Sequence, residues 1–170
     1  TPSLTYWKSA LVDSNPLELP TDFPRPAVQS FAGDEISVSL GREILDPLKT
    51  LCRDTGVTLY VALLASFQVA LGRHARTDDV TIGSPIAGRP VPEVDGLVGC
   101  FINNLVIRSD LSAAGSFREF LAQTGEAALS AQLHQELPFD LHGHESILLE
   151  QCNGFHMGGL RKHIHDARAD

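Results

Sequence analysis

Two adjacent carboxamides, Asn103 and Asn104, stand inside the run Val98-Gly99-Cys100-Phe101-Ile102-Asn103-Asn104-Leu105-Val106-Ile107-Arg108-Ser109-Asp110. An amide side chain offers two N–H donors and one carbonyl acceptor, so it can hold a ligand or tie down backbone without gaining or losing a proton. The apolar residues Phe101, Ile102, Leu105, Val106 and Ile107 mark the run as a buried strand, opened by Gly99 and closed by Ser109 and Asp110. Successive strand side chains point to opposite faces, so at least one amide is expected indoors, where lack of a partner costs about 1 to 3 kcal/mol. Further along, His134-Gln135-Glu136-Leu137-Pro138-Phe139-Asp140 sets an imidazole and carboxylates beside a helix-breaking proline, with Phe139 as an apolar anchor. Arg89 lies in a loop rich in Gly and Pro, where it either pairs with Glu93 or Asp95 or helps line the path of a phosphorylated ligand.

Proton-transfer chemistry has no evident seat. His74-Ala75-Arg76-Thr77-Asp78 has HxxxD spacing but falls in a helix-to-strand turn and reads as solvated. His142 and His144, or His163 and His165, would share a strand face, yet no tight Cys or carboxylate spacing accompanies them, and no metal site is expected.

Periodicity supplies the elements that must position these residues. Pro2, Pro16, Pro20, Pro24 and Pro26 make residues 1–32 an extended linker with at most a short helix near 6–11. Tyr6 and Trp7 would anchor that linker, most simply against a partner domain. Residues 35–40 alternate polar and apolar and read as a strand with one buried face. Ile44, Leu45, Leu48, Leu51 and Cys52 recur at helical intervals, with Pro47 tolerable in a first turn and Gly56 as terminator. Thr58 caps a second helix over 59–73, apolar nearly all round and so buried on most sides, and a truncated sheet should leave an uncovered apolar patch. Asp78 and Asp79 introduce a strand over 80–84 that carries Ser84. Ser116 and Glu119 form a capping box for a helix to about 134, with Phe117, Phe120, Leu121, Thr124, Ala128, Ala131 and Leu133 facing the core.

The 170 residues suit one domain, and no apolar run approaches the roughly 20 residues of a membrane helix. Without a basic-then-apolar leader, a cytoplasmic location with no membrane partner is expected. Cys52, Cys100 and Cys152 fit reduced thiols better than a disulfide framework. A net charge of −8 argues against nucleic-acid binding.

Residues 98–108 resemble the VGxFVNTLxxR signature of condensation domains from nonribosomal peptide synthetases, and 134–140 resemble their HQDxPFE signature. Ile82-Gly83-Ser84-Pro85-Ile86-Ala87-Gly88-Arg89 resembles IGxPxAGR, and Leu19-Pro20-Thr21-Asp22-Phe23-Pro24-Arg25-Pro26 resembles the LPTDxPRP linker. Four matches in family order cover about 6–140 and correspond to the later part of the family's domain. The resemblance implies an α/β fold, a chloramphenicol-acetyltransferase-like subdomain with a mixed β-sheet covered by helices, incomplete in itself. The organisation expected is a Pro-rich linker at 1–32, a C-terminal condensation subdomain at 33–141, and a divergent, frayed tail at 142–170.

By the same resemblance, the chain is a C-terminal fragment of a domain that joins carrier-bound acyl or peptidyl and aminoacyl thioesters by an amide bond. Its partners would be peptidyl or acyl carrier proteins and an N-terminal half-domain. It would bind no cofactor directly, because the substrates ride on the carriers' phosphopantetheine arms. The family's HHxxxDG motif is absent, so no catalytic residue is assigned and the chain alone is expected to be inactive. A noncatalytic remnant or docking module that recognises carriers or a partner half is the alternative, and a self-sufficient acyltransferase is the weakest reading, since it also needs the paired histidines. Asn103, Ser84 and Arg89 are the substrate-tunnel candidates. Gly99, Phe101, Arg108, His134, Gln135, Pro138 and Phe139 carry the structural motifs, while Asn104 stands where the family has Thr. For Asn103 two readings stay open: a hydrogen bond at the tunnel, or a tie between the sheet and a neighbouring loop.

Overall fold

The computed structural model describes residues 1–15, 17–24, 28, 36–89, 91–99 and 101–138; Phe139 and the expected tail at 142–170 lie outside them. In chain order the elements are α1 (Pro2–Ala10), α2 (Arg42–Thr55), α3 (Leu59–Ala75), β1 (Asp79–Ile86), β2 (Asn103–Asp110) and α4 (Phe117–Leu133), with short 3-10 turns at Pro92–Val94 and Leu111–Ala113. The two strands pair antiparallel, from Asp79 opposite Asp110 to Ile86 opposite Asn103, and are the only strands among the described residues. This register puts Val80, Ile82 and Ser84 on one face with Ser109, Ile107 and Leu105.

Helix α3 covers that face for reasons visible in its sequence. The Thr58 hydroxyl accepts from the Val61 N–H at 3.2 Å, capping the first turn, and Ala62, Leu64 and Ala65 are completely buried. Gln68, equally buried, gives its amide to the Ile107 carbonyl at 3.4 Å and accepts from the Ser109 hydroxyl at 3.2 Å. A polar residue thus ties the apolar helix to β2 through both its donor and its acceptor. Helix α4 packs beside α3 on the sheet, with Phe120, Leu121, Thr124, Ala128 and Ala131 buried.

Several expectations need correction. Residues 36–40 join no sheet, and Ile36 and Val38 are 88% and 70% exposed. Alternation selects a buried face only where another surface lies opposite, and none does so among the described residues. Exposed apolar side chains include Phe23, Val28, Ile36, Val38, Val98 and Ile102, and none of the large ones is on α3. Strand β2 begins at Asn103, not at Gly99, because the preceding residues belong to a loop described below. Leu133 is exposed since it stands two residues, about 200°, from Ala131 around the helix, and Phe117, the first helical residue, is also exposed. Pro47 falls in the second turn of α2, because Gly41 opens the helix earlier than the apolar spacing suggests; Gly56, at φ +70°, ends it as expected.

Helix α1 starts at Pro2 rather than near Tyr6. Proline suits the first helical position, where its missing N–H has no partner to lose, and Thr1 caps the turn. Its Trp7 is 2% exposed and belongs to the core of this chain, not to a partner's groove. No single helix among the described residues is long and apolar enough to cross a membrane.

Candidate functional site

The loop joining β1 to β2 is closed by a backbone crossing. Gly88 has φ +60°, and a Cβ built there would overlap the Phe101 carbonyl oxygen, so only glycine allows the two limbs to meet. Just beyond, Arg89 gives Nη1 to the Val94 carbonyl and Nη2 to the Leu97 carbonyl at 3.0 Å, while its guanidinium lies 4.2 Å from the centre of the Phe101 ring. Neither Glu93 nor Asp95 pairs with it, contrary to the simpler sequence expectation. The planar fork instead matches two carbonyls turned inward by the 3-10 turn, and the ring adds cation–π attraction. Gly99 makes room for the Phe101 ring, whose Cε2 would lie 3.1 Å from a Cβ at that position. Ser84, buried at the loop's entry, shares a 2.6 Å hydrogen bond with the Tyr60 hydroxyl.

At the loop's exit stands Asn103. Its Nδ2 donates to the Gln135 carbonyl at 3.0 Å and to the Leu137 carbonyl at 3.1 Å, and its Oδ1 accepts from the Asn104 N–H at 3.0 Å. The two sequence signatures are thereby joined atom to atom across more than thirty residues. Asn104, by contrast, leaves Oδ1 buried without a hydrogen-bond partner.

The segment after α4 is fixed in turn by α1. Ser3, Tyr6 and Trp7 share a helix face by their spacing of three and four. Trp7 Nε1 donates to the His134 carbonyl at 3.1 Å, and Tyr6 stacks on the His134 ring at 4.2 Å and 21°. The Ser3 hydroxyl donates to the Glu136 carboxylate and lies 2.9 Å from His134 Nδ1. Having given its one proton to Glu136, Ser3 acts as acceptor toward an Nδ1–H. The bond that the Ser3 hydroxyl donates to Glu136, more than the nearby imidazole, holds the Glu136 carboxyl below its usual range. Serine, histidine and a carboxylate meet here, but the carboxylate and the imidazole both address one 3% exposed hydroxyl, so the arrangement orients a helix and activates no nucleophile.

Arg108 serves the opposite end of β2. Its Nε and Nη2 grip Asp79 at 2.7 and 2.9 Å, Nη1 reaches the Ala10 and Val12 carbonyls at 3.3 and 2.7 Å, and Nη2 also reaches the Asp13 carbonyl at 3.4 Å. The bond to Asp79 pushes the guanidinium's pKa further above its ordinary value. Pro138 is exposed at the end of the described segment.

Sequence reasoning missed Ser3, Tyr6, Trp7 and Asp79 as parts of this constellation. The signal available for α1 was Thr1-Pro2, a cap followed by a proline at the first helical position. Among the described residues, no group of three or more His, Cys, Asp or Glu side chains could hold a metal ion.

The family model described as Condensation domain matches residues 2–146. A linear gramicidin synthase of Brevibacillus parabrevis is 49% identical over 138 residues, which are 81% of this chain and 3% of that protein. Among solved structures, the four-domain nonribosomal peptide synthetase holo-AB3403, crystallised with AMP and glycine, superposes with a TM-score of 0.78 at 30% identity, covering 83% of this chain and 11% of that one. The first condensation domain of the CDA synthetase has the same fold, with a TM-score of 0.69 at 21% identity, covering 82% of this chain and 31% of that one. The chain therefore spans a small fraction of the synthetases and about a third of the isolated domain.

Proposed function

Because the chain belongs to the condensation-domain family, we propose that it supplies the C-terminal wall of a site for amide-bond formation between carrier-bound thioesters. In that reaction the amine nitrogen of one substrate attacks the thioester carbonyl carbon of the other. The C–N bond forms, the C–S bond breaks, and the proton lost by nitrogen is balanced by the thiol released. The observation that carries the reading is the junction at Asn103, where residues of the two family signatures meet through hydrogen bonds.

What this chain contributes there is shape and polarity. Asn103 contributes a neutral amide that fixes the Gln135 and Leu137 carbonyls, Ser84 and Tyr60 form a hydroxyl pair beside β1, and Arg89 braces the loop through backbone carbonyls. Holding two reactants in line lowers the barrier without any group changing its charge. The base is assigned to an N-terminal half carrying the paired histidines, which this chain's seven separate histidines do not replace. The substrates would arrive on phosphopantetheine arms of carrier proteins, in the cytoplasm, a location that suits the buried free thiol of Cys52.

Mixing the chain with a separately expressed N-terminal half and two loaded carriers should yield the condensed product by mass spectrometry, and the chain alone should yield none. Product from the chain alone would place the base within it. Carrier binding without product in the full mixture would instead favour a noncatalytic docking role.

A further inference from the structure

We propose that Arg108 and Asp79 are positioning residues for Asn103, acting from the far end of β2 through helix α1. The path is a closed circuit of contacts. Arg108 holds the carbonyls at the end of α1. The N-terminal end of α1 holds His134 and Glu136 through Ser3, and Trp7, past the middle of the helix, donates to the His134 carbonyl. Between those residues and just after them, the Gln135 and Leu137 carbonyls hold the Asn103 amide.

The dimensions agree. Asn103 and Arg108 are five residues apart on β2, about 17 Å. Helix α1 has nine residues and is about 14 Å long, and the carbonyls of Val12 and Asp13 supply the remainder. Beside its C-terminal half lies a cleft of about 600 Å³ lined by Tyr6, Ala10, Leu11, Asp79, Val106 and Arg108 among others. The helix is seated by Trp7, which is buried in the core, and by Tyr6 and Leu11, which pack partly buried against it. Beyond that packing, its C-terminal end is held by the hydrogen bonds of Arg108, whose five N–H groups match five acceptor contacts. A helix that slides at one end moves the carbonyls that aim Asn103 at the other.

The relevance of this aim to turnover rests on the function proposed above, whereas the geometry is testable without it. In the 15N-labelled chain of residues 1–170, hydrogen-exchange protection is measured at the Asn103 side-chain amide, the Trp7 indole N–H and, as an internal reference in the α3 interface, the Gln68 side-chain amide. Arg108→Gln and Asp79→Asn should lower protection at Asn103 and Trp7 at least tenfold while leaving Gln68 unchanged. Arg108→Lys, which keeps the charge but loses the fork, should fall between, and Arg73→Gln on the exposed end of α3 should change nothing. Unchanged protection at Asn103 in folded Arg108→Gln would overturn the proposal. If Arg108→Gln does not fold, Arg108→Lys decides: loss at Asn103 with Gln68 intact supports it, and no loss or an equal loss at all three groups overturns it. In a reconstituted domain, reduced kcat for Arg108→Lys should accompany the lost protection; lost protection with normal turnover would refute the tunnel role of Asn103 and leave the mechanical link standing.

Discussion

Replacing Asn103 by Asp keeps the shape of the side chain and inverts its hydrogen bonding, which makes it a sharp probe of the junction between the two signatures. The wild-type amide directs both N–H donors at the carbonyls of Gln135 and Leu137, at 3.0 and 3.1 Å. A carboxylate there would face two carbonyl oxygens with no proton to offer. Each neutral hydrogen bond contributes about 1 kcal/mol net, and stranding the partly buried acceptors adds to the loss, so Asn103→Ala should cost about 2 kcal/mol and Asn103→Asp about 1 kcal/mol more at neutral pH. Protonation gives the Asp one O–H donor, so its pKa in the folded variant should lie above its unfolded value of about 3.9. A raised folded pKa means the protonated form is favoured by folding: that contribution is fully present below the unfolded pKa and is lost as pH rises through the folded one. The variant should therefore recover stability relative to wild type as pH falls from about 7 toward about 4, whereas Asn103→Ala should show no such recovery. Urea denaturation of the three proteins across that range measures both effects. A loss under about 0.5 kcal/mol for Asn103→Ala, or parallel pH profiles for the Asp and Ala variants, would refute the bonding scheme.

Other perturbations follow from single contacts. Gly88→Ala must find a left-handed backbone and move the Phe101 carbonyl, so it should cost more than about 2 kcal/mol and release the Arg89–Phe101 stack, visible as altered Phe101 ring resonances. Thr124 buries a hydroxyl that finds no hydrogen-bond partner, so Thr124→Val should be neutral or raise the melting temperature slightly, against the usual loss for a core polar-to-apolar change. Ser3→Ala should move the Glu136 titration back up toward the ordinary carboxylate range in a carbon-detected NMR titration. Because a lowered carboxyl pKa stabilises above the unfolded pKa and is lost as pH falls through the folded one, the same variant should flatten the acid limb of the stability curve.

Local chemistry made much of the frame legible. Thr58, Ser116 and Gly56 sit where a side-chain oxygen or a left-handed glycine is required, and each bounds a helix as its type dictates. The strand over 79–86 is legible in part, as a strand over 80–84 introduced by Asp78 and Asp79. What escaped were contacts whose second partner is backbone. Nothing in the composition around Arg89 reveals that two carbonyls, rather than Glu93 or Asp95, will face it, because every residue carries a carbonyl and only the turn decides its direction. The same holds for Asn103, whose acceptors lie 32 and 34 residues away. Residues 36–40 mislead for a different reason: their alternation describes a strand's two faces, but a strand also needs an edge to pair with.

The distribution of protons at the site bears on how the work is divided. Arg89 and Arg108 spend their donors on carbonyls, Phe101 and Asp79. His134 commits one ring nitrogen to Ser3 and one ring face to Tyr6. Asn103 is neutral at any pH that leaves the fold intact. Each of these groups is thus engaged in holding another element in place, and the hydrogen bonds that do so are mostly to backbone, which cannot be reprotonated. The bonds from the Asn103 amide and the Arg89 and Arg108 guanidiniums to backbone carbonyls do not change in the pH range in which an opposing histidine would change charge. Under the function proposed above, such a surface would position an amine and a thioester while the proton is handled elsewhere.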